Sequence, residues 1–343
     1  MSASIKIAIA GATGVVGNEM LRILEERAKS DAVKVDEVKL FASANSAGEV
    51  YNFLEEEIRV EELTAESFQG VDYALFALGG SLSEKFVPAA LDAGATVIDN
   101  SSAFRMKEDV PLVVPEVNGD LLGKEDKLIA NPNCTTAQLV PVLDLIEKNA
   151  GLERVVVSTY QAVSGAGKAA LDELWNQTKE VFTQQQSADQ EDVVPAFQHQ
   201  IAFNCIPQID VMLDNRYSKE EMKVIEESRK ILRLPELRIT ATAVRVPVFH
   251  GHGESISVET KSPLSPEAFI EILTEAEGIE VFPQADLYPM QVDAATTDPV
   301  YVGRVRQDFS VENGLHMWIV ADNLRKGAAL NAVQILEQVL TFQ

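Results

Sequence analysis

Short, almost continuous apolar runs alternate with amphipathic segments through the first third of the chain. Apolar runs of this kind are typical of strands buried on both faces of a parallel sheet, and the amphipathic segments 19–26 and 84–93 are typical of helices. Strands are expected at 5–10, 37–42, 73–78, 96–99, 112–114 and 128–130. This alternation predicts an α/β fold that begins with a doubly wound, Rossmann-like parallel sheet.

The pattern changes after residue 132. Helices are expected at 169–182 and 220–232, and strands at 154–161, 238–248, 254–260, 299–307 and 315–321. The two runs that flank 249–253 resemble the arms of a tight hairpin, so a second α+β domain with a largely antiparallel sheet is predicted. Apolar residues at helical spacing in the tail predict a last helix that returns to the first domain.

The domain prediction is therefore 1–132 for the dinucleotide-binding domain, 133–321 for a catalytic and dimerisation domain, and 322–343 for the returning helix. Segment 183–200 is rich in Gln and Asp without periodicity, which predicts a loop or flap. Pro141 is expected to kink or interrupt the helix that follows Cys134.

Charge and composition exclude several classes of protein. The formal net charge of −24 argues against a nucleic-acid partner. No apolar run approaches the roughly 20 residues that span a bilayer, and the amino terminus leads directly into the first strand, which predicts a cytoplasmic protein without a membrane partner. Two cysteines, Cys134 and Cys205, are too few for a disulfide framework or a cysteine-based metal site, and no metal is expected.

A glycine-rich turn follows the first predicted strand, in the sequence Gly11-Ala12-Thr13-Gly14-Val15-Val16-Gly17. Strand, glycine-rich turn and helix in this order form a phosphate cradle, because glycines let the backbone approach and the helix N-terminus faces the anion. The spacing is GxxGxxG rather than GxGxxG, and a simple tight turn is the alternative. The cofactor contacts predicted here are Gly11, Thr13, Gly14, Val15 and Val16, together with Gly79 after the third strand.

The loop after the second strand bears on the choice of cofactor. An NAD enzyme usually places an acid there against the ribose, whereas an NADP enzyme offers hydroxyls or cations to the phosphate. Ser43, Asn45 and Ser46 include no acid, which favours NADP, although no arginine is present in the loop either. A polar loop with capping serines is the alternative.

Cys134 opens an apolar run after Asn131-Pro132-Asn133. A helix that starts there would direct unpaired N–H groups and the positive end of its dipole at the sulfur, which favours the thiolate. By itself, a buried structural cysteine is the stronger alternative.

Five motifs in order extend over essentially the whole chain: Gly11-Ala12-Thr13-Gly14, Asn131-Pro132-Asn133-Cys134, Ser164-Gly165-Ala166-Gly167-Lys168, Arg245 with His250-Gly251-His252, and Asp322-Asn323-Leu324-Arg325-Lys326-Gly327-Ala328. Together they resemble aspartate-β-semialdehyde dehydrogenase. The resemblance implies NADPH-dependent reductive dephosphorylation of β-aspartyl phosphate to aspartate β-semialdehyde and phosphate, feeding lysine, threonine and methionine synthesis, and a homodimer.

The resemblance also implies roles for individual residues. Cys134 attacks the acyl phosphate to form a thioester, His252 takes the thiol proton as the base, and Gln161 orients the thioester and substrate. The alternative for His252 is a surface histidine in a turn. Ser164, Gly165 and Asn323 complete the implied cofactor site.

The substrate carries a phosphate, a carboxylate and an ammonium group. The resemblance assigns Arg245 to the carboxylate, through bidentate guanidinium geometry. It assigns the other groups to Arg105 and Lys223 for the phosphate, Asn133 as a neutral donor, and Glu220 for the ammonium. Glu220 and Lys223 share a helix face, so an ordinary surface ion pair is the alternative for these two.

Asn45 departs from the family pattern, which often has Arg at this position. We therefore predict NADP with a smaller preference than usual, and NAD as a weaker alternative. N-acetyl-γ-glutamyl-phosphate reductase, which shares the chemistry, typically has Gly before the cysteine and Tyr-Pro after it, and the Ser-Cys-Thr-Thr-Asn motif of phosphorylating glyceraldehyde dehydrogenases is absent. A non-catalytic paralogue that acts as a binding module is the rival from a different class.

Overall fold

The computed structural model of the chain describes residues 4–183 and 195–342. Most of the predicted flap, 184–194, lies outside the described residues. The chain divides into two compact units, the first drawn from Met1–Asn133, Lys230–Arg233 and Gly327–Gln343, and the second from Cys134–Arg229 and Leu234–Lys326.

Parallel strands build the first unit. Its elements are β1 (Ile5–Ala10), α1 (Val15–Lys29), β2 (Val35–Ala42), β3 (Val50–Phe53), β4 (Glu56–Arg59), β5 (Glu61–Glu62), β6 (Tyr73–Phe76), α2 (Gly80–Asp92), β7 (Thr96–Asp99), α3 (Pro115–Asn118) and β8 (Leu128–Ala130). The main sheet has the order β5-β2-β1-β6-β7-β8 with every pair parallel. The prediction of a Rossmann-like parallel sheet is confirmed.

In the first unit, one predicted strand is absent and one hairpin was not predicted. Residues 112–114 form no strand but a single bridge between Leu112 and Ala130. Pro111 and Pro115 flank this segment and have no N–H to donate, so a ladder cannot extend. The sequence analysis also missed the separate antiparallel hairpin of β3 and β4.

The core of the first unit is filled from both ends of the chain. Ile7 and Ile9 of β1 are fully buried, as are Val333 and Leu336 of the last helix, α9 (Leu330–Leu340), and all four belong to one apolar cluster. The tail thus packs with the first unit, as its helical spacing predicts. A turn of π-helix, Arg325–Ala329, leads into α9.

The second unit holds a mixed sheet. Its elements are α4 (Cys134–Ala150), β9 (Leu152–Gln161), α5 (Lys168–Thr183), α6 (Lys219–Ile231), β10 (Arg238–Arg245), β11 (His252–Thr260), α7 (Pro266–Thr274), β12 (Ile279–Phe282), α8 (Gln291–Ala294), β13 (Val300–Gln307) and β14 (Gly314–Ala321). The sheet order is β10-β9-β11-β14-β13-β12, with three antiparallel pairs and two parallel ones. The predicted α+β domain with a largely antiparallel sheet is confirmed.

The predicted hairpin around 249–253 is wrong, because β9 lies between β10 and β11. Residues 246–251 cross the end of β9 instead: Val246 donates its N–H to Gln161, and the carbonyl of Val248 accepts from Val163. Helix α4 also continues through Pro141 without interruption. Within the part of the chain that the structure describes, no helix is long and apolar enough to span a membrane.

Candidate active site

The glycine-rich turn of the first unit lies at the carboxyl edge of the parallel sheet, between β1 and β6. Gly11 has a φ of +88°, and a Cβ there would lie 2.5 Å from the carbonyl oxygen of Ala77. Gly14 caps α1 without a side chain, and the first turn of α1 contains no acidic residue. The turn therefore leaves N–H groups and the positive helix end for an anion such as a dinucleotide phosphate. Thr13, Val15 and Val16, also predicted contacts, lie partly exposed in this turn and the first turn of α1.

A second helix of the same unit starts in the same way. Gly79 caps α2, at the carboxyl end of β6, and the first turn of α2 is again free of acidic residues. The chain adds β2 on one side of β1 and then β6 on the other side, so the order of the strands changes direction between β1 and β6. Both helix starts lie at this point, where doubly wound folds bind ligands. The structure thus brings the glycine turn and Gly79 to one edge.

The loop after β2 is a compact turn in which the carbonyl of Ser43 accepts from the N–H groups of Ser46 and Ala47. Arg59 of β4 lies beside it and donates from Nη1 to the carbonyl of Gly48, at 3.0 Å. The loop itself contains no cation, but the hairpin that the sequence analysis missed brings a guanidinium to it. Asn45 is exposed in this loop.

Arg105 is buried in the first unit, where it holds the segment that leads to the cysteine. Its Nε donates to the carbonyl of Asn131 and its Nη2 to that of Asn100, both at 2.8 Å. Asp99, at the end of β7, anchors the same loop by accepting from the Ser101 hydroxyl at 2.6 Å. Burial raises the pKa of Asp99, although the hydrogen bonds from Ser101 and Ser83 and the charge of Arg105 act to lower it. Asn133 is buried and directly precedes the nucleophile candidate.

Three predicted site residues form one row across the second sheet. Gln161 ends β9 and pairs directly with Arg245, the last residue of β10, on one side and with His252, the first residue of β11, on the other. Directly paired residues present their side chains to the same face of a sheet. All three are buried, so the row forms an interior polar site.

Cys134 is the first residue of α4, as predicted, and its side chain is partly buried. No acidic residue lies in the first turn of this helix. Burial lowers the pKa of the Arg245 guanidinium, and the negative charges of Glu220 and of the Cys134 thiolate oppose that shift. A helix N-terminus and a buried guanidinium therefore both favour the thiolate.

His252 is completely buried, so the alternative of a surface histidine is excluded. Burial lowers its pKa to about 3; the charge of Arg245 acts in the same direction, and Glu220 and the Gly251 carbonyl act against it. Its Nδ1 accepts from the N–H of Ala162 at 3.0 Å. In a neutral imidazole this places the proton on Nε2, which has no partner among the described residues. Nε2 is thus the ring nitrogen that is left to interact with a thiol or a substrate.

Glu220 and Lys223 are paired but not on the surface. Glu220 is 5% exposed and accepts from Gln161 Nε2 at 3.0 Å and from Lys223 Nζ at 2.9 Å. Asp210, which the sequence analysis missed, accepts from the same Nζ at 3.0 Å. Burial lowers the pKa of Lys223, but the two carboxylates outweigh burial and leave it raised. An ordinary surface pair is therefore excluded, since Glu220 is tied to the row through Gln161.

The predicted cofactor residues of the second unit lie next to the row. Asn323 donates to the Ser164 hydroxyl at 3.0 Å and accepts from the N–H of Gly251 at 2.9 Å. A Cβ on Gly165 would lie 3.2 Å from Arg245 Nη1 and 3.3 Å from His252 Nε2. The absence of a side chain at Gly165 therefore lets Arg245 and His252 pack closely against the backbone.

A cavity of about 290 Å³ is lined by Arg245, Asp210, Phe197, Ile206 and residues near them. The Arg245 guanidinium lies 5.9 Å from the centre of the Phe197 ring. Gln198 and Gln208 also line the cavity, so its wall combines one cation, one acid, two amides and apolar side chains. The second unit thus contains a cysteine at a helix start, a buried guanidinium and a buried imidazole whose Nε2 has no partner among the described residues.

Comparisons with known proteins cover both units. Residues 6–124 match the family model described as semialdehyde dehydrogenase, NAD binding domain, and residues 142–326 match semialdehyde dehydrogenase, dimerisation domain. The chain is similar to aspartate-semialdehyde dehydrogenase of Aquifex aeolicus, with 50% identity over 337 residues and 97% of each chain covered. It is 46% identical to the enzyme of that name from Bacillus subtilis, with 99% of this chain and 98% of the relative covered. The crystal structure of aspartate semialdehyde dehydrogenase II from Vibrio cholerae complexed with ASA has a TM-score of 0.93 at 46% identity, covering 99% of both chains.

Proposed function

The chain belongs to the aspartate-semialdehyde dehydrogenases, oxidoreductases of amino-acid biosynthesis, and we propose that it catalyses the NADPH-dependent reductive dephosphorylation of β-aspartyl phosphate. The products are aspartate β-semialdehyde and phosphate. The observation that carries the proposal is Cys134 at the start of α4, close enough to the buried Arg245 for their charges to interact. A thiolate beside a carboxylate-binding guanidinium fits an activated derivative of an amino acid.

The test runs the reaction in reverse, with aspartate semialdehyde, phosphate and NADP, and follows the absorbance of the reduced cofactor. Reduction that requires all three components is the expected result. Absence of reduction, together with activity on the N-acetylated glutamate analogue, would reassign the chain to N-acetyl-γ-glutamyl-phosphate reductase. Absence of both activities would favour a non-catalytic binding protein.

Cys134 begins the reaction in this proposal. Its thiolate attacks the acyl carbon, a carbon–sulfur bond forms, and phosphate leaves with the electrons of the broken carbon–oxygen bond. When bound, the nicotinamide cofactor supplies the hydride that reduces the resulting thioester. Collapse of the hemithioacetal then breaks the carbon–sulfur bond, releases the aldehyde and restores the thiolate.

His252 has a different role here from the one that the resemblance implies. Because Nδ1 is occupied by the Ala162 N–H, the Nε2 hydrogen is available for the substrate oxygen on which negative charge develops. A neutral imidazole with a strongly lowered pKa is suited to this electrophilic role. Removal of the thiol proton by His252 would require the Ala162 hydrogen bond to break.

Each charged group of the substrate has a proposed binding residue, and most of these residues belong to the second unit. Arg245 binds the α-carboxylate, and Glu220 binds the ammonium group while it holds Gln161 in place. Lys223, between Glu220 and Asp210, keeps its charge and binds the phosphate when substrate displaces one carboxylate. Arg105 and Asn133 of the first unit are the further phosphate ligands proposed.

The chain uses a nicotinamide cofactor, since residues 6–124 match an NAD binding domain. The starts of α1 and α2, which lack side-chain caps, are consistent with this cofactor. Its proposed ligands are the turn at Gly11–Val16, Gly79, the loop at 43–46, and Ser164, Gly165 and Asn323. For NADP, Arg59 is the candidate for the cation that Asn45 does not provide, because its guanidinium reaches the loop through Gly48. A clear kinetic preference for NAD in parallel assays would contradict the NADP assignment.

A homodimer formed through the second unit is also proposed, which agrees with the matched dimerisation domain. On the exposed part of its sheet, a cavity of about 370 Å³ is lined by Tyr288, Met290 and Trp318 among others. Tyr160 packs beside Trp318 with ring centres 5.5 Å apart. Sedimentation equilibrium tests this surface: the wild type is expected to be a dimer and Met290→Arg to dissociate. A dimer of unchanged stability in Met290→Arg would move the interface elsewhere.

A further inference from the structure

A carboxylate lies completely buried next to the row of site residues. Glu254 is two residues after His252 on β11, and its cross-strand neighbours are Thr159 and Ile319. It is 0% exposed, and neither of its oxygens has a hydrogen-bond partner among the described residues. A buried carboxylate without a cation or a donor is strongly unfavourable, whereas a neutral acid is not.

Gln138 is the polar side chain beside this carboxyl group. It lies one helical turn after Cys134 on α4, and its Nε2 donates to the carbonyl of His252 at 3.3 Å. Its Oε1 is also buried and lacks a donor. Burial raises the pKa of Glu254 well above its ordinary value, and the nearby Gln138 amide opposes that shift.

One proton gives a partner to two of the three unpaired oxygen atoms on these side chains. Three buried acceptor atoms, two on Glu254 and one on Gln138, otherwise have no donor in the described part of the chain. A hydrogen on the Glu254 carboxyl turns one of these oxygens into a donor. It also removes the buried charge. Thr159 cannot take this place, because its hydroxyl donates to Gln161 Oε1 at 2.9 Å.

We propose that Glu254 is a neutral carboxylic acid whose hydroxyl donates to Gln138 Oε1, and that this pair holds the first turn of α4 against the start of β11. Gln138 is then bonded to residues 252 and 254 of one strand and stands one turn from Cys134. Glu254 is a positioning residue: it touches no substrate but fixes the nucleophile relative to His252. Its effect on turnover rests on the proposed function, whereas its protonation state does not.

Infrared difference spectra test the protonation state without any substrate. At neutral pH, wild type minus Glu254→Gln is expected to show the carbonyl stretch of a protonated carboxylic acid. Glu259→Gln is the matched control, since Glu259 lies on the same strand but pairs with Arg154 at the surface. This control is expected to show only the bands of an ionised carboxylate. Ionised bands for Glu254 would overturn the proposal.

Turnover and thiol reactivity test the positioning. Glu254→Gln keeps a neutral donor, so kcat, KM and the pH profile of kcat are expected to match the wild type. Glu254→Met removes the donor, and kcat is expected to fall by about 10- to 100-fold with KM little changed, because small misplacements of reacting groups have effects of this size. An equal loss of kcat in folded Glu254→Gln would contradict the proposal.

The rate of Cys134 alkylation by iodoacetamide, measured against pH, gives a readout that needs no catalysis. A Cys205→Ser background removes the exposed second thiol. Glu254→Met is expected to change this profile and Glu254→Gln to preserve it. Identical profiles for Glu254→Met and the wild type would show that Glu254 does not position the nucleophile, whatever the substrate proves to be.

Discussion

The buried imidazole of His252 makes the stability of the second unit sensitive to acid. The variant His252→Gln removes this imidazole, which must stay neutral while the chain is folded. Burial, assisted by the charge of Arg245, lowers the pKa of His252 to about 3. The unfolded chain binds the proton near the ordinary value of about 6.5.

The direction and size of the effect follow from proton linkage. Because the folded pKa is the lower one, the contribution of His252 to stability is complete above about pH 6.5 and is lost as the pH falls toward about 3. One pKa unit corresponds to about 1.4 kcal/mol, so the full window amounts to about 5 kcal/mol. The step from pH 7.5 to pH 5 contributes about 2 kcal/mol of this.

Urea unfolding at pH 7.5 and pH 5, followed by tryptophan fluorescence, measures the difference. Both tryptophans, Trp175 and Trp318, belong to the second unit, so the signal reports the unit that holds His252. The wild type is expected to lose about 2 kcal/mol more than His252→Gln over this step. His199→Gln, which changes an exposed histidine, serves as the control. Equal losses in the wild type and His252→Gln would refute the assignment of a neutral, donating imidazole.

Three further predictions concern the site. Cys134→Ser is expected to abolish turnover but to leave the fold and cofactor binding intact by circular dichroism and calorimetry; substantial remaining turnover would exclude the nucleophile. Gly165→Ala is expected to lower kcat/KM by about tenfold, since the added methyl group displaces Arg245 and His252 by a few tenths of an ångström. Gly123→Ala is the control and is expected to have no effect, because there is space for a methyl group at this position. Arg59→Ala is expected to weaken NADP binding by about tenfold in calorimetry without changing NAD binding, and an equal change for both would remove Arg59 from the phosphate site.

Much of the fold was predictable because the hydrophobic pattern of each strand and helix is local in the sequence. Strand β1 has the predicted bounds, and α4 starts at Cys134 as expected, since apolar runs and helix starts are marked in the sequence itself. The hairpin around 249–253 was mispredicted because neighbours in sequence need not be neighbours in a sheet. The insertion of β9 between β10 and β11 depends on long-range pairing that no local pattern records.

The structure brings several of the predicted site residues together, but the contacts between them could not be predicted from the sequence. Asp210 and Arg59 lie 13 and 11 residues from the groups they contact, and neither spacing is that of a helix turn or another local motif. The tautomer of His252 depends on the N–H of Ala162, which every residue type would provide. Glu254 did carry a signal, since strand alternation places it on the same buried face as Ile256 and Val258.

The row of Arg245, Gln161 and His252 has a consequence for insertions and deletions. Each residue comes from a different strand, and the pairing of the strands keeps the three residues side by side. Removing one residue from the middle of β9 would shift its remaining length by one position and turn Gln161 to the opposite face. We expect such a change to abolish activity although every proposed site residue would still be encoded, because the register of β9 sets the position of Gln161 beside Arg245 and His252.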